Sequence, residues 1–229
     1  MLALVTGGAR GIGFAIAKKL AENGYDVVIT GRDRKRLDEA RKKLEKSGAN
    51  AYSFECDVTS RKHVEKVVEE VWEIAPLDVL VNNAGVAFNR ELLGNSDEEI
   101  EKMIDTNLKG VIDCTRTFLP RMVERRKGII INISSGAGKY GFPGLAVYSA
   151  TKFAVIGFTE ALAREVERRG VRVFAVCPGD TDTDMWRSLY PGQKATYVPE
   201  DVAIEVLELI KNADKVRPGS AIDVRKHVR

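Results

Sequence analysis

Tyr148 and Lys152 stand four residues apart, which at about 3.6 residues per helical turn puts a phenol and an ammonium on one face, one turn from each other. A free tyrosine has a pKa near 10 and is a weak base at neutral pH. An opposite charge within roughly 4 to 6 Å lowers such a value by about 1 to 3 units. The pair is therefore expected to perform general acid/base chemistry near neutral pH. Two adjacent hydroxyls upstream, Ser134 and Ser135, compete for the role of hydrogen-bonding a reacting oxygen.

A second chemical signal lies near the N-terminus. The run Leu2 to Thr6 passes directly into Gly7-Gly8-Ala9-Arg10-Gly11-Ile12-Gly13 and then into a helical pattern. Glycines in a strand-to-helix turn let the backbone approach a diphosphate closely. Their spacing, Gly7-x-x-x-Gly11-x-Gly13, departs from the common GxGxxG fingerprint. About twenty residues on, where an acid would bind the ribose 2′-hydroxyl of NAD, the chain has Gly31-Arg32. A guanidinium pairs with a 2′-phosphate instead, and Arg10 is expected to approach that phosphate from the other side. The cofactor expected is NADP(H), although Asp33 would serve NAD if the loop were shifted by one residue.

The elements that must position these groups follow from patterning. The chain has 229 residues, 44% hydrophobic and 30% charged, a balance that excludes a disordered chain or a disulfide scaffold. Lys plus Arg, 36, against Asp plus Glu, 33, leaves a net charge of +3. With no concentrated basic stripe, nucleic acid is not an expected partner. No apolar run approaches a membrane span, and three widely spaced cysteines fit a reducing, cytoplasmic setting. Short β-branched runs alternate with helical periodicity, the signature of βαβ units and a parallel sheet.

Seven strands are expected: Leu2 to Thr6, Asp26 to Thr30, Ala51 to Cys56, Asp78 to Asn82, Gly128 to Ser134, Val171 to Cys177 and Ser220 to Val224. Gly24 and Gly48 should end the first two helices. Ser60 should cap the third, and Ser96-x-x-Glu99 has capping-box spacing for the fourth. The basic run Arg121 to Lys127 reads as a solvated helix end. Two long loops, Ser135 to Val147 and Gly179 to Val198, have lengths typical of functional segments.

Thr6-Gly7-x-x-x-Gly11-x-Gly13 resembles the N-terminal pattern of short-chain dehydrogenases/reductases. The resemblance extends to Asn82-Asn83-Ala84-Gly85, Asn107, Ser135, Tyr148-x-x-x-Lys152, and Pro178-Gly179 with Thr183. It implies one domain over 1–229, a three-layer Rossmann fold with a doubly wound, mostly parallel seven-stranded sheet and helices on both faces, and a substrate loop at about 180–198. The implied reaction interconverts a carbonyl and a secondary alcohol by hydride transfer.

Roles carried over by the resemblance are these. Asn107, Ser135, Tyr148 and Lys152 form the catalytic set, with Asn107 holding a water that links Lys152 to solvent. The family's serine stands thirteen residues before the tyrosine, which selects Ser135 over Ser134. Cofactor contacts fall to Gly7, Arg10, Gly11, Ile12, Gly13 and Arg32. Asp57 should meet the adenine amino group, Asn83 the adenosine ribose, and Thr183 the nicotinamide carboxamide or phosphate, while Val58, Ala84, Gly85, Pro178, Gly179, Thr181, Tyr148 and Lys152 also contact the cofactor.

Thr181 departs from the family, which usually has Val or Ile there. Phe88, Tyr140, Phe142, Leu145, Met185, Trp186 and Tyr190 could line an apolar substrate pocket. A homodimer or homotetramer is expected, with Phe118, Met122, Phe153 and Phe158 as candidate contacts. The alternative function is a sensor or scaffold that binds NADP(H) without turnover.

Overall fold

A computed structural model describes residues 1–227. The strands are β1 (Leu2–Thr6), β2 (Asp26–Gly31), β3 (Ala51–Glu55), β4 (Leu77–Asn82), β5 (Gly128–Ile133), β6 (Val171–Cys177) and β7 (Ala221–Asp223). They form one all-parallel sheet in the order β3-β2-β1-β4-β5-β6-β7. The expected strand boundaries hold to within one residue. The helices are α1 (Gly11–Ala21), α2 (Arg34–Glu45), α3 (Arg61–Ile74), α4 (Asp97–Ile104), α5 (Gly110–Glu124), α6 (Ala146–Val166), α7 (Asp184–Leu189) and α8 (Pro199–Lys211).

Strand residues point alternately to opposite faces, so β1 feeds two cores. Ala3 and Val5 join Ile16, Leu20, Leu37, Leu44, Val202 and Val206 beneath α1, α2 and α8. Leu2 and Leu4 join Val64, Val67, Phe118, Leu162 and Val166 beneath α3, α5 and α6. This three-layer arrangement is the Rossmann fold. Its strand order reverses between β1 and β4, and in such sheets the crevice beyond the strand C-termini at that switch point receives the ligand.

Local signals set the helix ends. Gly24 and Gly48 both adopt φ of +82°, the left-handed conformation that closes a helix at little cost for glycine. The Ser60 hydroxyl accepts from the His63 N–H, and Ser96 with Glu99 completes a reciprocal capping box. The loop expected at 179–198 contains α7, which Thr183 caps by accepting from the Trp186 N–H at 3.1 Å.

Two expectations are corrected. The basic run ending α5 is not simply solvated: the Arg121 and Arg125 guanidiniums lie 5.5 and 5.6 Å from the Trp72 ring centre. Arg125 and Lys127 also pair with Asp78 at 3.4 and 2.8 Å. Burial would raise the Asp78 carboxyl, but Lys127, the Leu2 N–H and Arg125 together hold it below its ordinary value. Phe118 and Met122 cannot form a subunit contact, because they are 1% and 0% exposed within the chain's own core. Phe158 packs partly into that core but is not fully buried, and Phe153 is 46% exposed.

Candidate active site

Along the strand C-termini runs a cavity of about 830 Å³, with the glycine-rich turn at one region and Ser135, Tyr148 and Lys152 at another. Every expected cofactor-contacting residue lines it. Gly7 and Gly11 take positive φ of 64° and 54°, turning the chain from β1 into α1. At Gly13 the requirement is space, since a methyl group there would sit 2.4 Å from both Asn83 Nδ2 and the Gly7 carbonyl oxygen.

Asn83 itself is spent largely on this turn. Its Nδ2 donates to the carbonyls of Thr6 at 2.9 Å and Gly7 at 3.3 Å, and its N–H donates to Thr6 Oγ1 at 2.9 Å. The β4 terminus is thereby laced to the β1 terminus, and the α1 N-terminus faces the cavity. Such a helix start offers unpaired N–H groups and a partial positive charge to an anion. A dinucleotide diphosphate fits this cradle, because Gly7, Gly11 and Gly13 line the cavity at the helix start and put no side chain there.

Three arginines, Arg10, Arg32 and Arg36, line the same end. Each faces a carboxylate: Arg10 meets Asp184 at 3.4 Å, Arg32 meets Asp57 at 4.0 Å, and Arg36 meets Asp33 at 3.2 Å. Asp33 also accepts from the Arg36 N–H at 3.0 Å as the N-cap of α2. Burial would raise the Asp57 carboxyl, yet the Thr59 N–H and hydroxyl, with Arg32 and His63, hold it low. Arg10 and Arg32, expected to flank one phosphate, thus face carboxylates on different segments, Asp184 of α7 and Asp57 after β3.

At the other end, the serine choice resolves by geometry. Ser134 is buried and its Oγ donates to the Lys152 carbonyl at 2.9 Å. Ser135 Oγ accepts from the Ala137 N–H at 3.1 Å and lies near enough to the Tyr148 phenol to lower its pKa. Lys152 Nζ lies 5.7 Å from the Tyr148 ring centre and donates to the Ile133 carbonyl at 2.9 Å.

The expected charge effect within this pair is not what the structure shows. Burial raises the Tyr148 phenol, with only the Ser135 hydroxyl opposing it and Tyr190 adding to the rise. Burial also brings the Lys152 ammonium down to about 8. Desolvation disfavours both charged forms, and Lys152 Nζ is held toward the β5 carbonyl.

Asn107 does not line the cavity. It is fully buried within a π-helical turn, Asp105–Lys109, between α4 and α5. Its Oδ1 accepts from the Val86 N–H at 2.8 Å, and its Nδ2 donates to the Val86 carbonyl at 2.9 Å and to Thr151 Oγ1 at 3.2 Å. Thr151 in turn donates to the Tyr148 carbonyl at 2.7 Å. The amide thus joins the segment after β4 to the turn of α6 that carries Tyr148 and Lys152.

Of the apolar candidates, Phe142, Leu145, Met185, Trp186 and Tyr190 line the cavity. Phe88 and Tyr140 do not: Phe88 lies under Lys102, 6.0 Å from its ring centre, and Tyr140 is 70% exposed. Trp186 and Tyr190 pack with ring centres 4.3 Å apart. Thr181 is buried, donating its hydroxyl to the Gly179 carbonyl at 3.0 Å and pairing with Tyr197 in a parallel bridge. Sequence reasoning missed Thr151 and the acids Asp182 and Asp184. Their signals were a hydroxyl three residues beyond Tyr148 and acids flanking a capping threonine.

Comparisons with known proteins agree with this geometry. A family profile described as short chain dehydrogenase matches residues 1–194. A 3-oxoacyl-(acyl-carrier-protein) reductase FabG of Staphylococcus aureus is 39% identical, covering 97% of this chain and 95% of that protein. The protein of the same name from Chlamydia muridarum is 36% identical over 97% and 94%. A crystal structure of an actinorhodin polyketide ketoreductase variant with NADPH superposes with a TM-score of 0.92 at 36% identity, covering 97% of this chain and 95% of that one. With a match of that extent over the glycine turn, the sheet and the Tyr148-x-x-x-Lys152 helix, the chain belongs to the short chain dehydrogenase family.

Proposed function

We propose that this chain is an NADP(H)-dependent oxidoreductase that interconverts a carbonyl and a secondary alcohol, with Tyr148 as general acid and base. The observation that carries the reading is the convergence of Ser135, Tyr148 and Lys152, with Lys152 Nζ 5.7 Å from the Tyr148 ring centre, in one cavity with a glycine turn shaped for a diphosphate. When bound, the cofactor would supply or accept the hydride. Ser135 would hold the substrate oxygen. Tyr148, kept protonated at neutral pH by burial, would donate its proton to that oxygen as negative charge develops there. Lys152, at about 8, would return a proton to the phenol, and Asn107 would hold the helix that carries both.

Choice of NADP(H) over NAD(H) is supported by three cavity-lining arginines and by the use of Asp33 as a helix cap. Similarity to a ketoreductase solved with NADPH supports the same choice. The relatives named as 3-oxoacyl reductases make 3-oxo thioesters the first substrates to try. A cytoplasmic homo-oligomer fits the same reading: the three cysteines are buried and unpaired, Phe153 is exposed on α6, and no described helix is long and apolar enough to cross a membrane.

The test is a panel of carbonyl compounds, including 3-oxo thioesters, assayed for oxidation of NADPH and of NADH. Turnover with at least one carbonyl and a preference for NADPH is expected. Tight NADPH binding with no turnover across the panel would favour the sensor reading instead.

A further inference from the structure

We propose that Asp184 is a cofactor-selecting residue, which competes with the 2′-phosphate of NADP(H) for the guanidinium of Arg10. The inference rests on the NADP(H) reading above. Arg10 occupies the N-cap position of α1 without using its side chain as a cap. That side chain instead spans the cavity mouth to the first residue of α7, placing Nη1 3.4 Å from Asp184 Oδ2. The two segments also approach closely at the next positions, since a methyl group on Gly11 would lie 3.4 Å from the Thr183 side-chain methyl, Cγ2.

Asp184 holds a second cation. Its Oδ1 accepts from Arg187 Nη1 at 3.1 Å, and Arg187 Nε donates to Asp182 at 2.9 Å. An ionic chain therefore runs from the glycine turn through Asp184 and Arg187 to Asp182. If a phosphate dianion takes Arg10, Asp184 keeps Arg187 and is not left alone. Exchange costs little desolvation as well, because the Arg10 and Asp184 side chains are 63% and 62% exposed.

The exchange is specific to one cofactor. A dinucleotide with a free 2′-hydroxyl brings no competing anion to Arg10 and leaves the bridge to α7 in place. One with a 2′-phosphate must displace the Asp184 carboxylate and then binds near its negative charge. Asp184 thus weakens NADPH selectively and moderates the discrimination that Arg10 would otherwise provide. It also makes the tether on α7, which carries the wall residues Met185 and Trp186, sensitive to whether a phosphate is bound.

The experiment measures equilibrium dissociation constants for NADPH and NADH, by cofactor fluorescence, on the full chain and on four variants: Asp184→Asn, Asp182→Asn, Arg10→Gln and Arg10→Gln with Asp184→Asn. Exposed ion pairs of this kind are individually weak, so Asp184→Asn should tighten NADPH by about two- to fivefold and leave NADH unchanged. The gain should shrink as salt is raised to about 1 M, where screening acts over roughly 3 Å. Asp182→Asn, which contacts Arg187 but not Arg10, should change neither constant. In an Arg10→Gln background, Asp184→Asn should have no effect on NADPH. An equal shift for both cofactors, no shift in NADPH, or a gain that persists without Arg10 would overturn the role assigned to Asp184. Failure of the unmodified protein to prefer NADPH would instead contradict the cofactor reading itself, and the inference with it.

Discussion

Tyr148 and Lys152, the proposed acid/base pair, owe the direction of their shifts to burial. Burial lowers Lys152 to about 8 from an ordinary value of 10.5. The unfolded chain therefore binds more protons at this residue than the folded one between those two values, and stability gained at Lys152 rises with pH across that window. Lys152→Met removes this titration. The melting temperature of the unmodified protein, minus that of Lys152→Met, should increase by at least about 3 °C between pH 7.5 and 10. A difference independent of pH would show that the ammonium is not desolvated. The residue types and their spacing announced the pair, but not the sign of the phenol's shift. That sign depends on how deeply α6 seats the pair and on the Ile133 carbonyl that holds Nζ, and neither is visible along the chain.

At the scale of elements, α6 is held where the chemistry needs it by a hydrogen-bond path from Val86 through Asn107 and Thr151 to the Tyr148 carbonyl. Asn107→Ala would leave the Val86 N–H and carbonyl without this partner, at about 1 to 3 kcal/mol per buried group. Displacement of a reacting group by even 1 Å can cost about a hundredfold in rate. Turnover should fall by roughly ten- to a hundredfold while the NADPH dissociation constant stays within about twofold. An equal loss in cofactor affinity would mean that Asn107 serves the binding site directly.

The regular elements were readable because their signals are local: alternation in the strands, Ser60 and Ser96 at helix starts, Gly24 and Gly48 at helix ends. The π-helical turn at Asp105–Lys109 was not, since its cause is a partner 21 residues earlier in sequence, Val86. Nor was the reach of Arg10 to Asp184, which spans 174 residues. Pairing of that kind emerges only once the sheet brings the glycine turn and α7 together.

For the whole molecule, the sheet order places both ends of one cavity at the strand C-termini, so cofactor and substrate must meet between the β1 turn and α6. The exposed Phe153 on α6 is the most accessible of the aromatic candidates for a subunit contact, after Phe118 and Met122 are assigned to the core and Phe158 is found partly buried. Phe153→Glu should convert an assembly at micromolar concentration into monomers in sedimentation velocity. A monomeric unmodified protein, or an assembly untouched by the substitution, would remove this face from the account.

Tyr148→Phe tests the central claim most directly, because it deletes one oxygen and leaves the ring that packs against the cavity. Initial rates of NADPH-dependent carbonyl reduction are to be compared with NADPH binding measured on the same preparations. The account predicts loss of turnover by about a hundredfold or more, in the range attributed to a positioned general acid, with the dissociation constant nearly unchanged. Substantial carbonyl reduction by Tyr148→Phe would show that the proton comes from another group, and would contradict the mechanism.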